Sequence, residues 1–553
     1  MEQTRLLLAI GLSFLVLFFW SMFFVDQQPV KQTQEPVPSD QPAAEKQVAV
    51  KKDATAPPTV KEDAAESAPM DLEQEGRARE ITIETKFYRV TISTKGATFT
   101  SYVLKKFRES VEPDAPQKEL VPQDLNTGLI RTSLDQQSVV GLDAAVFSVD
   151  RPESDILVSD TKQSLAFEWD AGDGTTLTKT YTFDPDSYLI DLKVVLSNAS
   201  ERMIKDNLVL SIRNRVVDDR AYGFVGPSAL IDDQLKQVKI KKIEDNREHS
   251  GRIKWIGVED RYFLSSIVPG DQTNGRMRLD VIDNLVVNQL VTPTFELLPG
   301  EQKEAHFLVF MGPKSMELLN SLGHGLGKAL NFGFFNFIAK PCLWFMNQIH
   351  SVIPNYGIAI ILLTICTKIL LWPLGNKSYK SMSEMKKLQP LMTEIREKYK
   401  GDKQKMNQEL MALYRTYKVN PMGGCLPMIL QIPVFFALYR MLYQAIELRH
   451  APFLLWINDL SAPDRLFDFG VSIPFMEPPY GIPVLTIIMG ASMILQQKMS
   501  PPPGDPTQAK MMMLMPVVFT FIFINFSSGL VLYWLVNNVL SISQQYYVQK
   551  KTQ

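Results

Sequence analysis

Beyond Pro354 the sequence carries five apolar runs, Ile358–Leu374, Leu426–Tyr443, Ile482–Leu495, Met511–Phe526 and Leu530–Leu540, and a sixth, Leu6–Val25, stands near the start. Leu6–Val25 is 20 residues without a charge. As a helix it would measure about 30 Å, the thickness of a bilayer's hydrocarbon core. Several of the later runs fall short of the ~20 residues a full span requires. Polar extensions such as Gln496-Gln497, Asn537-Asn538 and Ser541 would complete them, with local thinning of the bilayer. A cleaved signal peptide is the alternative for the first run. The run is long for such a peptide, and Asp26-Gln-Gln-Pro follows it instead of a small-residue cleavage site, so residues 1–25 read as a retained anchor.

Charge nearly cancels, with 58 Lys and Arg against 60 Asp and Glu, which argues against a bulk nucleic-acid binder. The three Cys stand at 342, 366 and 425, so the first 341 residues hold no disulfide framework. Cys366 and Cys425 read as small apolar fillers. Five His without an HExxH motif or zinc spacing argue against a metalloenzyme.

Between the anchor and Pro354 three textures follow one another. Residues 26–80 contain seven Pro and no aromatic residue, and read as a disordered linker. From Ile81 to Pro313 apolar and polar residues alternate, as in Ile81-Thr-Ile-Glu, Leu165-Ala-Phe-Glu-Trp, Thr178-Lys-Thr-Tyr-Thr-Phe and His306-Phe-Leu-Val-Phe, with turn signals such as Ala171-Gly-Asp-Gly. Short alternating strands predict an all-β sandwich over 81–313. Residues 314–352 return to helical spacing. Leu319, Leu322, Leu326 and Leu330 fall on one face ahead of Phe332-Gly-Phe-Phe-Asn-Phe-Ile, which predicts an amphipathic helix in the membrane interface. Packing against the β-domain is the alternative.

The charges orient the spans. Residues 375–422 carry 11 Lys and Arg, whereas 443–480 carry only Arg449 and Arg465 against five acids. Lys498, Lys510, Lys550 and Lys551 fall on the same side as 375–422. The positive-inside rule then places 375–422, 498–510 and both termini in the cytoplasm, and the β-domain outside it, in the periplasm of a bacterium.

Lys368 is the only charge between Asn355 and Lys377. A charge within a span marks a water-filled cavity or a partner, unless the side chain snorkels past Trp372 to the interface. Thr364, Thr367, Gln431, Gln496, Asn525, Ser527, Ser528, Asn537 and Asn538 favour a wet cavity, and no Asp or Glu lies within a predicted span to pair with Lys368. Residues 375–422 predict a helical hairpin: Tyr379, Met382, Met385, Leu388, Met392, Ile395 and Tyr399 form one stripe, and Met406, Leu410, Leu413 and Tyr417 the other. Pro390 should kink the first arm. Nineteen of the 24 Met lie at or after Met311, a composition that suits adaptable apolar surfaces. Gly327-Lys328 lacks the rest of a P-loop, and no His lies within a span to serve an intramembrane protease.

The C-terminal 200 residues resemble the YidC/Oxa/Alb family of membrane protein insertases. The resemblance rests on Lys418-Val-Asn-Pro-Met-Gly-Gly-Cys-Leu-Pro, Gln431-Ile-Pro-Val-Phe-Phe-Ala-Leu-Tyr, Glu447-Leu-Arg-His-Ala-Pro-Phe, Trp456-Ile-Asn-Asp-Leu-Ser, Gln497-Lys-Met-Ser-Pro and Phe526-Ser-Ser-Gly-Leu-Val-Leu-Tyr-Trp. The layout is similar to the Gram-negative form of that family. The resemblance implies a polytopic α-helical membrane protein of six transmembrane helices. It would carry an all-β periplasmic supersandwich, similar to carbohydrate mutarotases, and a five-span core over 353–548. Within that core, 375–422 would be a cytoplasmic helical hairpin, and a short tail, 549–553, would follow.

The core would enclose a hydrophilic groove. The family's groove cation falls on Lys368, where Arg is commoner; Lys keeps the charge without the bidentate fork. Gln431 would be a polar lining residue. Substrate-contact positions fall on Thr364, Leu426, Ile432, Pro433, Phe435 and Trp534, the last in place of the more usual Tyr. The implied activity is insertion and folding of inner-membrane proteins, alone or with the Sec translocon, without cofactor, metal or enzymatic chemistry. The implied partners are nascent membrane proteins, lipids and the translating ribosome, the last through the hairpin because the tail carries few Lys. A secondary transporter or channel is one rival, predicting intramembrane carboxylates and an internal repeat. An envelope carbohydrate-modifying enzyme is the other, predicting acid/base residues in the β-domain. The sequence displays neither signature.

Overall fold

The computed structural model describes residues 78–122, 125, 128–215, 223–270, 274–417, 419, 426–500 and 506–552. The anchor and nearly all of the linker lie outside the described residues, as does Cys425.

Alternation becomes sheet wherever one side of a strand can be buried. In Thr175–Phe183 every second residue is buried, and Leu189–Asn198 likewise buries Ile190, Leu192, Val194 and Leu196. The strand Gln163–Asp170 joins Thr175–Phe183 through the predicted Ala171–Gly174 turn, where Gly172 and Gly174 take positive φ. The strands run from Glu80 to Pro313, so the last residue assigned to the linker already belongs to the first strand.

They form a 5-stranded, a 13-stranded and a 2-stranded sheet. The long strand Glu248–Glu259 unites the largest: its first half pairs with Asn274–Ile282, its second with Gly226–Ile231 and Phe263–Pro269. The 5-stranded sheet faces the larger one through an aromatic core, with Phe99 and Tyr181 ring centroids 5.3 Å apart and the Tyr181 hydroxyl donating to Ala97 O at 2.8 Å.

Ten helices are described: α1 (Met316–Ser321), α2 (Asn336–Val352), α3 (Tyr356–Leu370), α4 (Trp372–Lys387), α5 (Gln389–Lys398), α6 (Lys403–Thr416), α7 (Leu426–Gln444), α8 (Val484–Met499), α9 (Pro506–Phe523) and α10 (Ser528–Thr552). The amphipathic helix expected over 314–352 is not continuous. Gly323, His324 and Gly325 all take positive φ and end α1, and Gly333 does the same before α2. Leu319 and Leu326 consequently join the β-domain's core, while Leu330 joins the helical core with Ala339, Leu343 and Met346 of α2. Packing on the β-domain, the alternative, therefore holds for the first half of the segment. The run Ile358–Leu374 is likewise broken: α3 ends at Leu370 and α4 turns away by 67°. Of the described helices none alone is long and apolar enough to cross a membrane, and only the bent α3–α4 pair passes that test together.

The chain breaks at Leu388, not by a kink at Pro390, because Pro390 sits in the first turn of α5, where its missing N–H costs nothing. α5 and α6 pack through Leu388, Met392 and Leu410, with Met385, Ile395, Met406 and Leu413 around them. Cys366 is exposed, so it does not fill a core.

α10 is the pillar of the helical core, packing against α3, α4, α7 and α8. A platform of loop, residues 445–483, covers the end of this core that meets the β-domain. Asn355 at the start of α3 donates to Phe453 O at 3.2 Å, Ser528 N at the start of α10 donates to Ala462 O at 2.7 Å, and Arg465 donates to Ile524 O, past the end of α9, at 2.8 Å. Asp464 accepts from Trp456 Nε1 and from the amide of Leu485 in the first turn of α8. Lys368, Asn537 and Gln544 lie toward the opposite end.

Candidate functional site

Near the C-terminal end of α3 the helices part to form a cleft lined by Thr367, Lys368, Leu371, Leu374, Gly375, Tyr379, Gln431, Val434, Tyr533, Asn537 and Gln544. Four elements converge there: the α3–α4 bend, the first half of α7 and the middle of α10. Lys368 reaches across to α10 and donates to Ser541 Oγ at 2.6 Å, and that hydroxyl in turn donates to Asn537 O at 2.7 Å. No carboxylate lies within 4.0 Å of Lys368 Nζ among the described residues. Gln544 ties the bend to α10, donating to Trp372 O at 3.1 Å and to Asn376 Oδ1 at 3.0 Å. The cleft thus combines one cation with neutral polar groups that can exchange partners, beside the apolar Leu371, Leu374 and Val434. Such a lining can hold water and an acidic or polar peptide segment, and it has no nucleophile–base pair for covalent chemistry.

Of the expected site residues, Lys368 and Gln431 line the cleft. Thr364 does not: it is buried, and its hydroxyl turns back to Ile360 O at 2.6 Å. Ile432 is exposed on the outside of α7, and Pro433 is half-buried beside it. Phe435 and Trp534 meet edge to face at 4.7 Å and build an aromatic wall with Phe523, 5.0 Å from Trp534, linking α7, α9 and α10. Leu426 begins α7, and its side chain lies outside the described ones. Sequence spacing does not mark Tyr379, Tyr533, Gln544 or Asn376 for this site: Tyr379 reads as part of a packing stripe, and the others carry no spacing signal.

The family models divide the chain at the same junction. The model for the 60Kd inner membrane protein matches residues 348–553, and that for the YidC periplasmic domain matches residues 80–345. A membrane protein insertase YidC of Syntrophobacter fumaroxidans is 41% identical, covering 99% of this chain and 100% of its own. The chain belongs to the YidC family of membrane protein insertases. Another family member, from Geobacter sulfurreducens, is 40% identical over 84% of this chain and 85% of its own. A solved structure described as an active YidC insertase with its first transmembrane domain resolved is 19% identical, with a TM-score of 0.37, covering 85% of this chain and 92% of that one. As a YidC family insertase, the protein acts in membrane protein insertion at the inner membrane, with nascent membrane proteins as its substrates and a periplasmic domain built of large β-sheets. The matched relatives are named as insertases, not as enzymes.

Proposed function

We propose that this insertase works through the Lys368 cleft. Residues 6–25 and the segments holding α3, α7, α8, α9 and α10 are its six spans. Both termini and the α5–α6 hairpin face the cytoplasm. The 16 residues of α8 amount to about 24 Å, below the ~30 Å of a hydrocarbon core, so the bilayer thins around the cleft. The basic hairpin receives the nascent segment from the ribosome, and the protein works alone or with the Sec translocon. The segment's polar flank enters the cleft, where Lys368 attracts its acidic residues. Its apolar part moves along Ile432, Pro433, Phe435 and Trp534 into lipid, with Leu426 and Thr364 at the margins of that path. Burial at ~25 cal/mol per Å2 of apolar surface drives release without a nucleotide.

The observation that carries this reading is the Lys368 ammonium held, among the described residues, by a neutral hydroxyl, Ser541 Oγ, inside a polar cleft. A cation in such a place favours an acidic visitor because no carboxylate among the described residues lies within 4.0 Å to neutralise it. The test is insertion into proteoliposomes by Lys368→Glu and Lys368→Arg variants. Lys368→Glu should impair substrates with acidic translocated tails more than neutral ones, and Lys368→Arg should spare both. Equal loss for both classes would count against charge attraction.

A further inference from the structure

A second cleft lies where the β-domain passes into α2, lined by Leu319, Asn320, Gly323, Gly325, Gly327, Lys328 and Lys340. Three of its lining residues are glycines, and of these Gly323 leaves its Cβ space open, whereas the side chains of Leu230 and Asn320 fill that space at Gly325 and Gly327. The loop is held rigidly: Trp255 Nε1 donates to Gly325 O at 3.3 Å, and Lys340 Nζ to Gly327 O at 3.4 Å. Charge around it is one-sided. Lys254, Lys328 and Arg252 converge on the single carboxylate of Asp233 at 2.7, 3.4 and 3.5 Å. Lys340 has no carboxylate within 4.0 Å among the described residues. Burial, and then the charge of Lys328, pull its ammonium below the ordinary lysine value, the behaviour of a cation lacking a counter-ion.

The helix that carries Lys340 says where the counter-ion comes from. Phe337, Lys340 and Trp344 are spaced by three and four residues and share one face of α2. Phe337 is 67% exposed and Trp344 56%. The opposite face, Ala339, Leu343 and Met346, is buried in the helical core. An exposed aromatic pair flanking a lysine suits the headgroup level of a bilayer, with the rings toward acyl chains and the ammonium toward phosphate.

We propose that this cleft binds the phosphate of an anionic phospholipid in the leaflet facing the β-domain, held between Lys328 and Lys340 beside Gly323. The site would fix the β-domain and α2 to the membrane surface. The proposal rests on the membrane placement given above.

Hydrogen–deuterium exchange on the full chain in nanodiscs tests it. With phosphatidylglycerol in the disc, amides of 320–328 should exchange several-fold more slowly than in phosphatidylcholine alone. Lys340→Gln should abolish the difference while α2 stays protected, and Lys340→Arg should keep it. Equal exchange in both discs would overturn the site. Full protection by inorganic phosphate in phosphatidylcholine discs would assign the cleft to free phosphate and overturn the lipid assignment. Amides of α8 and α10 report on the membrane placement itself. Slow exchange there with indifferent 320–328 would sink only the lipid site, and fast exchange there would sink both.

Discussion

The guanidinium of Arg261 lies 3.6 Å from the ring centroid of Tyr443 and donates to Tyr443 O at 2.7 Å. Arg261 sits in the turn between strands Glu248–Glu259 and Phe263–Pro269, and Tyr443 is in the last turn of α7. One side chain thus binds the β-domain to the helical core by donating to a carbonyl in the last turn of α7. Arg449 returns the link, donating to Glu109 O at 3.2 Å.

Arg261→Ala should loosen this junction. A charged hydrogen bond is worth about 1.5–3 kcal/mol, and the stacked ring adds to it. Amide exchange across 442–449 in the full chain should quicken, while the centre of α10 stays protected. Unchanged exchange at 442–449 would mean that the junction does not depend on this contact.

Ser541→Asp should give Lys368 a partner inside the protein. We expect insertion of substrates with acidic tails to fall about tenfold, equivalent to ~1.4 kcal/mol, with neutral tails little affected. Ser541→Ala, which removes only a neutral partner, should leave both classes close to the starting rate. Parallel insertion assays in proteoliposomes decide the matter, and equal falls for both tails would contradict it.

Gly490 of α8 lies directly against Thr520 of α9. A Cβ there would run into the Thr520 side chain, whose hydroxyl bonds to Pro516 O at 2.7 Å. Gly490→Leu should cost about 1–3 kcal/mol by overpacking. Thr520→Ala in the same chain should recover part of that loss, seen as a rise in the thermal midpoint in detergent. A double variant no more stable than Gly490→Leu would place the strain elsewhere.

Lys179 gives the β-domain a pH dependence. It faces inward on Thr175–Phe183, with Nζ donating to Gly96 O at 2.7 Å, and burial, with the nearby Arg131 charge, brings its ammonium down to about 7. In the unfolded chain a lysine titrates near about 10.4. Between these values the unfolded state holds a proton that the folded state lacks. The domain should therefore gain stability as pH rises from about 7 to 10, while below 7 the cost of burying the ammonium is fully present and no longer varies with pH. Thermal unfolding of the full chain, followed through its β-sheet signal, should show that slope, and Lys179→Met should flatten it.

Much of this architecture was legible without coordinates. The alternation of Leu189–Asn198 reads directly as a half-buried strand, and the stripes through Met392 and Leu410 meet as their spacing implied, because periodicity is a local property of the chain. The leucine period across Gly323 and Gly325 predicts one helix, but backbone at positive φ overrides side-chain spacing. Thr364 carried the right polarity for the cleft but spends its hydroxyl on its own helix, which depends on rotamer and helix rotation.

By itself the sequence determined the order of sheet, junction and apolar helices, the isolation of Lys368 among uncharged residues, and the motifs that mark the family. Only the tertiary structure decided that Ser541, 173 residues away, receives the Lys368 ammonium, that Gln544 pins the α3–α4 bend, and that Trp534 stands in an aromatic wall rather than in the cleft. Hydropathy and period are written along the chain. The rotation and crossing of packed helices follow from how distant side chains interdigitate, and no local spacing encodes that.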